Sequence, residues 1–250
     1  MTSAKPFKMT RERYLTPDPN VPAPWPTPRT WTPPSSRGLR GKRKIGFKST
    51  QGTARAAIQV NGYMEGAESN LELYSGLWLL AQPDVVDIIS QWPQVSYVDD
   101  GGIAHRFTFD FTSVHTDGSR TANSVKPQDL VAASQVEEIH LLLQRQMSAK
   151  TANRINLITE EKLAPQDRFN AEAIYAARRF PVPAHDAVIE GLIADLHGTT
   201  TVGALRELSG LRGAAYRAIV RTIAAGRLET VEHVRIDSGA VVRRPQTRKA

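Results

Sequence analysis

Along the middle of the chain, apolar positions recur first at helical and then at strand spacing. In "ESNLELYSGLWLLAQ", Leu71, Tyr74, Trp78 and Leu79 fall on one face at steps of three and four, and Pro83 ends the run, which predicts an amphipathic helix. "VVDIIS" is expected to add a short second helix. "QVSYVD", "IAHRFTFDFTSV" and "RTANSVKP" follow, punctuated by "DDGG" and "TDGS", and read as three strands joined by Gly-containing turns. A helix through "QVEEIHLLLQRQMSAK" and a strand at "RINLIT" complete the order α, βββ, α, β, a compact α/β domain over about 65–160.

The two ends differ from this middle. Residues 160–185 read as a helical connection ending in "RRFPVPAHD", whose prolines mark a boundary. Beyond it, "HDAVIEGLIADLHG", "TVGALRELSG" and "GAAYRAIVRTIAAG" predict three short helices, the last two joined by "LSGLRG", a turn of the helix-turn-helix type. "RLETVEHVRIDSGAVVRR" alternates like a two-stranded hairpin turning at "DSG", and three helices plus a hairpin predict a winged helix. At the other end, residues 1–36 hold nine of the 16 prolines, which suits an extended arm and no helix or sheet interior. The expected division is therefore a Pro-rich basic arm over 1–60, a catalytic-type α/β domain over 61–165, and a connecting helix with a winged-helix domain over 166–250.

Composition narrows the chemistry. The 250 residues include no cysteine, which excludes disulfides, thiolate zinc sites and a cysteine nucleophile, so a metal would be held by oxygen or imidazole ligands. No run reaches the length of a membrane span and the first residues lack the apolar stretch of a signal peptide, so a soluble, cytoplasmic protein is expected. The net charge of +7 is unevenly spread: Lys and Arg against Asp and Glu number 12 to 2 over residues 1–60, 10 to 19 over 61–197, and 10 to 4 over 198–250. Basic ends suit a polyanion and an acidic centre suits divalent cations, a division expected of a nuclease; tails that merely aid solubility are the alternative. "RGLRGKRK" adds Arg37, Arg40, Lys42, Arg43 and Lys44 between glycines, a flexible segment suited to phosphates.

Two residues do not belong on purely structural strands. Asp110 sits between Phe109 and Phe111, where a buried carboxylate needs a balancing cation, either a metal or the partner in a strand-edge salt bridge, and Lys126 closes the following strand, where a lysine also serves simply to end a sheet edge. A metal-dependent phosphodiesterase needs carboxylates to hold divalent ions against the scissile phosphate and a lysine to orient the attacking water. In the PD-(D/E)xK nuclease fold family these come from a helix glutamate, a strand aspartate and an acid-x-lysine element on the next strand. Glu72 on the first helix, with Glu68 one turn earlier, Asp110, and Ser124 to Lys126 stand in that order.

The succession "ESNLELYSGLWLL", "VVDIISQWP", "FTFDFTSV", "DG", "SVKP" resembles the TnsA-type endonuclease subunit of heteromeric bacterial transposases over roughly residues 37–165. The resemblance implies Glu72, Asp110 and Lys126 as catalytic residues, with Mg²⁺ or Mn²⁺ held by Glu72, Asp110 and the Val125 backbone carbonyl, and Gln91 as a motif glutamine near the site. Ser124 stands where that family has Glu or Gln, and its short hydroxyl would reach a metal through water. Implied partners are double-stranded DNA at transposon ends, a DDE-type (TnsB-like) transposase and an AAA+ (TnsC-like) ATPase regulator, with activity at the bacterial nucleoid.

Elsewhere, Arg217 and Arg221 share one face of the last helix with Tyr216 beside them, suited to phosphate contacts, though a winged helix serves protein partners equally well. Arg235, Arg243 and Arg244 add positive charge on and beyond the hairpin. The six histidines show no ligand spacing; His105, His115 and His140 are nearest the site and receive no role. Two other functions stay open, a stand-alone restriction- or repair-type endonuclease and a non-catalytic DNA-binding assembly factor.

Overall fold

The structure, a computed structural model, describes residues 56–245, so the Pro-rich arm and Arg37, Arg40, Lys42, Arg43 and Lys44 lie outside the described residues. All described residues belong to one compact unit, Arg37–Ala250, and form a mixed α/β arrangement. It begins with a hairpin that the apolar pattern alone does not predict, β1 (Ala56–Val60) paired with β2 (Tyr63–Ala67). The turn is Asn61-Gly62, both at positive φ, the pair that a two-residue hairpin turn favours.

α1 (Asn70–Ala81) starts at Ser69, whose side chain caps the first turn, and ends at Gln82 before Pro83. Its extent follows the prediction but its buried face does so only at Leu79: Ser75, Gly76, Leu77 and Leu79 face the core, while Leu71, Tyr74 and Trp78 are half-buried. The helix is apolar nearly all round, so spacing leaves the inner face undecided, and close packing settles it. A Cβ on Gly76 would lie 2.6 Å from Ile58 Cδ1 and 3.2 Å from Phe111 Cζ. The small residues are therefore the ones against the sheet.

"VVDIIS" is a strand, β3 (Val85–Ser90), correcting the short helix expected there. Its β-branched run fits a pleated, largely buried position, and length cannot separate a six-residue strand from a helical turn. β4 (Gln94–Val98) and β5 (Ala104–Thr108) form a separate two-stranded ribbon. The long strand predicted over "IAHRFTFDFTSV" is broken at Phe109–Asp110, after which β6 (Phe111–His115) joins a different sheet. That sheet runs β3-β6-β7-β8, with β7 (Arg120–Val125) antiparallel to β6 and parallel to β8 (Arg154–Ile158). The parallel pair needs a crossover, supplied by the short α2 (Val131–Ser134) and by α3 (Val136–Gln146). Separate apolar cores fill the two sides: Leu77, Ile88, Phe111, Val125 and Ile158 under α1, and Tyr97, Phe109, Ala122 and Leu143 under α3.

α4 (Pro165–Arg179) packs on α1 and also on the C-terminal helices. α5 (Pro183–Ala194), α6 (Val202–Leu208) and α7 (Gly213–Ala224) surround a core of Ile189, Leu205, Ile219, Leu228 and Val242. The predicted hairpin is present as β10 (Glu229–Thr230) and β11 (Val241–Arg243), with "DSG" in the long connection between them. β11 pairs on its other side with β9 (Thr199–Thr201), a strand too short to read from its three threonines. Arg178 joins the two cores: its guanidinium donates to Leu80 O near the end of α1 and to Ala224 O at the end of α7. Both acceptors are last-turn carbonyls, where a cation is favoured. Burial holds the Arg178 pKa below its ordinary value.

Candidate functional site

Asp110 lies where the β4–β5 ribbon hands over to the sheet. Phe109 N donates to Pro93 O at 3.1 Å, Asp110 N donates to Asn123 O at 3.0 Å, and Gln91 N donates to Asp110 O at 2.7 Å. The flanking rings part company there, Phe109 into the core under α3 and Phe111 into the core under α1, so Asp110 is left half-buried at the edge between them. Its Oδ2 accepts from Val125 N at 2.7 Å, a charge-assisted bond across the neighbouring ends of β6 and β7. Lys126 follows directly, anchored by its own N–H to Ile158 O at 3.0 Å. Its side chain is half-buried, and its ammonium has no hydrogen-bond or ion-pair partner among the described residues. The structure therefore brings Asp110 and Val125 into direct contact, with Lys126 the next residue along the chain.

Gln91 belongs to the same corner. It is 3% exposed and holds φ at 51°, a left-handed conformation that costs a non-glycine residue about 1 kcal/mol or more. Its backbone bond to Asp110 is what that conformation delivers.

Glu72 is occupied differently. It stands third in α1 after the cap, with Ser69 Oγ accepting from Glu72 N at 3.1 Å and Ser69 Oγ donating to Glu72 Oε1 at 3.1 Å. Glu72 Oε2 accepts from Glu68 N at 2.8 Å, one residue before the cap, so the carboxylate closes a variant of the capping box at the start of the helix. Ser124 is 1% exposed and its Oγ lies 2.9 Å from His140 Nε2 on α3, so its hydroxyl is committed to the helix under the sheet. Burial pushes the His140 pKa down to about 4, leaving the ring neutral at ordinary pH.

The donors at this corner are carboxylate and carbonyl oxygens, the hard ligands that Mg²⁺ and Mn²⁺ take, and Mg²⁺ commonly binds through one or two carboxylates with several waters. Asp110 and the Val125 carbonyl fit that description, and Glu72 fits it as a carboxylate already engaged at its helix start. Among the described residues, no group of three or more His, Asp or Glu side chains is placed to hold a metal ion. No family model matches the chain, and no curated protein matches it. Among the described residues no helix is long and apolar enough to cross a membrane.

The other sequence candidates are dispersed. Arg217 is exposed on α7, but Arg221 is not on a common surface with it: Arg221 is 10% exposed, with Nε 2.9 Å from Asp186 Oδ1 and Nη1 donating to Ala177 O at 3.0 Å. Helical spacing places both on one stripe, but a one-turn difference in depth puts Arg221 beneath α5. Tyr216 donates its hydroxyl to Ile236 O, Arg243 pairs with Glu229, and Arg244 donates to Ala194 O, so each has an intramolecular partner. Exposed Arg235 lies over the Phe169 ring. His105 bonds Asp99, and His115 bonds Asp84 at the far end of β6.

One carboxylate escaped the sequence reading. Glu65 on β2 is fully buried, and its Oε2 accepts from Ser90 N at 2.6 Å and Ser90 Oγ at 2.8 Å, one residue from Gln91. Nothing in "YMEGA" marks it, because an acid in a strand reads as its solvent face.

Proposed function

We propose that this chain is a metal-dependent DNA endonuclease of the TnsA type, cutting at transposon 5′ ends beside a DDE-type transposase, with an AAA+ ATPase as regulator. The observation that carries the reading is the Asp110 Oδ2 to Val125 N–H bond, which fixes a carboxylate beside the strand end that bears Lys126. The order α1, β3, β6, β7, α3, β8, with β7 and β8 parallel, supports a PD-(D/E)xK core. The order α5, β9, α6, α7, β10, β11 supports a winged helix in the C-terminal part.

In this reading Asp110, Glu72 and the Val125 carbonyl would hold Mg²⁺, which when bound supplies Lewis-acid polarisation of the phosphodiester. Asp110 keeps its carboxylate oriented through Val125 N–H, so the ligand is set before DNA arrives. Lys126 offers its ammonium donors to the attacking water and to the phosphate oxygens, holding both in line. The basic segment Arg37 to Lys44 and exposed Arg217 would meet the DNA backbone.

A second reading, a non-catalytic DNA-binding assembly factor, is favoured by two observations: Ser124 is turned to His140, and Glu72 is spent on a helix cap. The two are separated by Mg²⁺-dependent cleavage of transposon-end DNA with the partner transposase present. The endonuclease reading expects cleavage by the wild type and none above background with Asp110→Ala or Lys126→Ala. Equal cutting by all three proteins removes these residues from the mechanism, and no cutting by the wild type favours the assembly factor.

A further inference from the structure

We propose that His140 is a positioning residue of the Asp110–Lys126 site, acting through Ser124 and Phe109. The inference rests on the endonuclease reading and adds to it a residue to which the sequence pattern gives no role. The β6–β7 ladder has its last residue pair at Phe111 and Asn123. Beyond that pair, the bonds recorded between the two strand ends are Asp110 N to Asn123 O and Val125 N to Asp110 Oδ2, and the second of these aims the carboxylate.

His140 touches both sides of this junction. Its Nε2 lies 2.9 Å from Ser124 Oγ, and Ser124 immediately precedes Val125. Its ring stacks on Phe109, with centroids 5.7 Å apart and planes 30° apart, and Phe109 immediately precedes Asp110. Phe107 closes the other side edge-on, at 5.8 Å and 85°. With the proton on Nδ1, Nε2 accepts from the Ser124 hydroxyl. The serine is buried, so this bond has no ready substitute in water. One side chain on α3 thus sets where the ends of β6 and β7 sit relative to each other. A shift of the two ends there lengthens and misaligns the short Val125 N–H to Asp110 Oδ2 bond, and with it loosens the aim of the carboxylate.

The test uses the full chain and three replacements. His140→Gln places an amide oxygen near the position of Nε2, His140→Asn is polar but falls short of Ser124, and His140→Leu keeps apolar bulk without an acceptor. Mn²⁺ affinity by calorimetry and kcat and KM for Mg²⁺-dependent cleavage are measured for each. The expected result is a loss of about 10-fold or more in Mn²⁺ affinity and in kcat for the Asn and Leu variants, at little changed KM for DNA, with His140→Gln within about threefold of wild type. If Leu does not fold, the Asn and Gln pair decides, since both are polar and differ in reach. Equal behaviour of Asn and Gln, or Mn²⁺ affinity unchanged in every variant, overturns the inference while leaving the endonuclease reading intact. A wild type that neither binds Mn²⁺ nor cuts DNA overturns that reading, and this inference with it.

Discussion

Replacing Arg221 with alanine separates a structural from a DNA-facing role for the last helix. The Arg221 guanidinium donates to both carboxylate oxygens of Asp186, with Nε at 2.9 and 3.2 Å, and to Ala177 O at 3.0 Å, so it ties α7 to α5 and to the end of α4. The side chains of the pair are 10% and 24% exposed. Truncation leaves Asp186 without its cation and Ala177 O without a donor. Breaking a fully buried pair costs about 3–5 kcal/mol, and the partial exposure of Asp186 lowers the expectation to about 2–3 kcal/mol. At an ordinary urea m-value, that moves the unfolding midpoint down by about 1 M. Arg221→Met with Asp186→Leu removes both charges and is expected to recover most of the loss, to within about 1 kcal/mol of wild type. Exposed Arg217→Ala should change the unfolding free energy by no more than about 0.5 kcal/mol and, if α7 meets DNA, reduce the salt dependence of binding by about one phosphate contact. Urea unfolding followed by fluorescence, with DNA binding across salt concentrations, measures both. An Arg221→Ala protein with a wild-type midpoint and weakened DNA binding would refute the structural assignment.

Three further outcomes follow from the packing. Gly76→Val should cost about 2–3 kcal/mol in urea unfolding, because the added atoms meet Ile58 and Phe111, whereas Gly76→Ala should stay within about 1 kcal/mol as helix propensity offsets a contact with the movable end of Ile58. Glu72→Ala should lose about 1 kcal/mol through the capping box even in the absence of metal, while Glu72→Gln retains most of that stability. His140 has a folded-state pKa of about 4 against an ordinary 6.5, so the unfolded chain binds the extra proton first and stability falls as pH drops from about 6.5 toward 4. The full gap corresponds to about 3 kcal/mol, cut to about 1–2 kcal/mol by solvent access; thermal melts at stepped pH should show this loss, and His140→Gln should lack it.

How much was legible depended on whether neighbours or spacing decided the outcome. The helix over "NLELYSGLWLLA" was legible because apolar spacing and Pro83 mark it locally, but its inner face was not, because that depends on Ile58 and Phe111 approaching Gly76. "VVDIIS" misled because six β-branched-rich residues acquire their conformation from pairing with β6, a partner more than twenty residues away. That Asp110 and Lys126 lie at neighbouring strand ends was legible from the "TDGS" turn, whereas the register that sets residue 110 beside 124 and 125 is settled by the pairing of β6 with β7. The fate of Ser124 was not, since strand alternation says that its side chain points to one sheet face and only the α3 crossover says what waits there.

Glu72 shows why the capping and metal-binding readings of one carboxylate need not compete. A capping box places an acid at the third helical position, where it accepts N–H donors and meets the positive end of the helix dipole. Those features hold a carboxylate in a fixed place, which a hard cation requires of its ligand. The cost is that the oxygens already have donors, so a metal must share or displace them. The Gln variant then discriminates: if Glu72→Gln retains the stability of α1 and loses Mn²⁺ affinity, Glu72 serves both purposes. If it retains both, the glutamate is a cap alone, and Asp110 with the Val125 carbonyl must carry the metal.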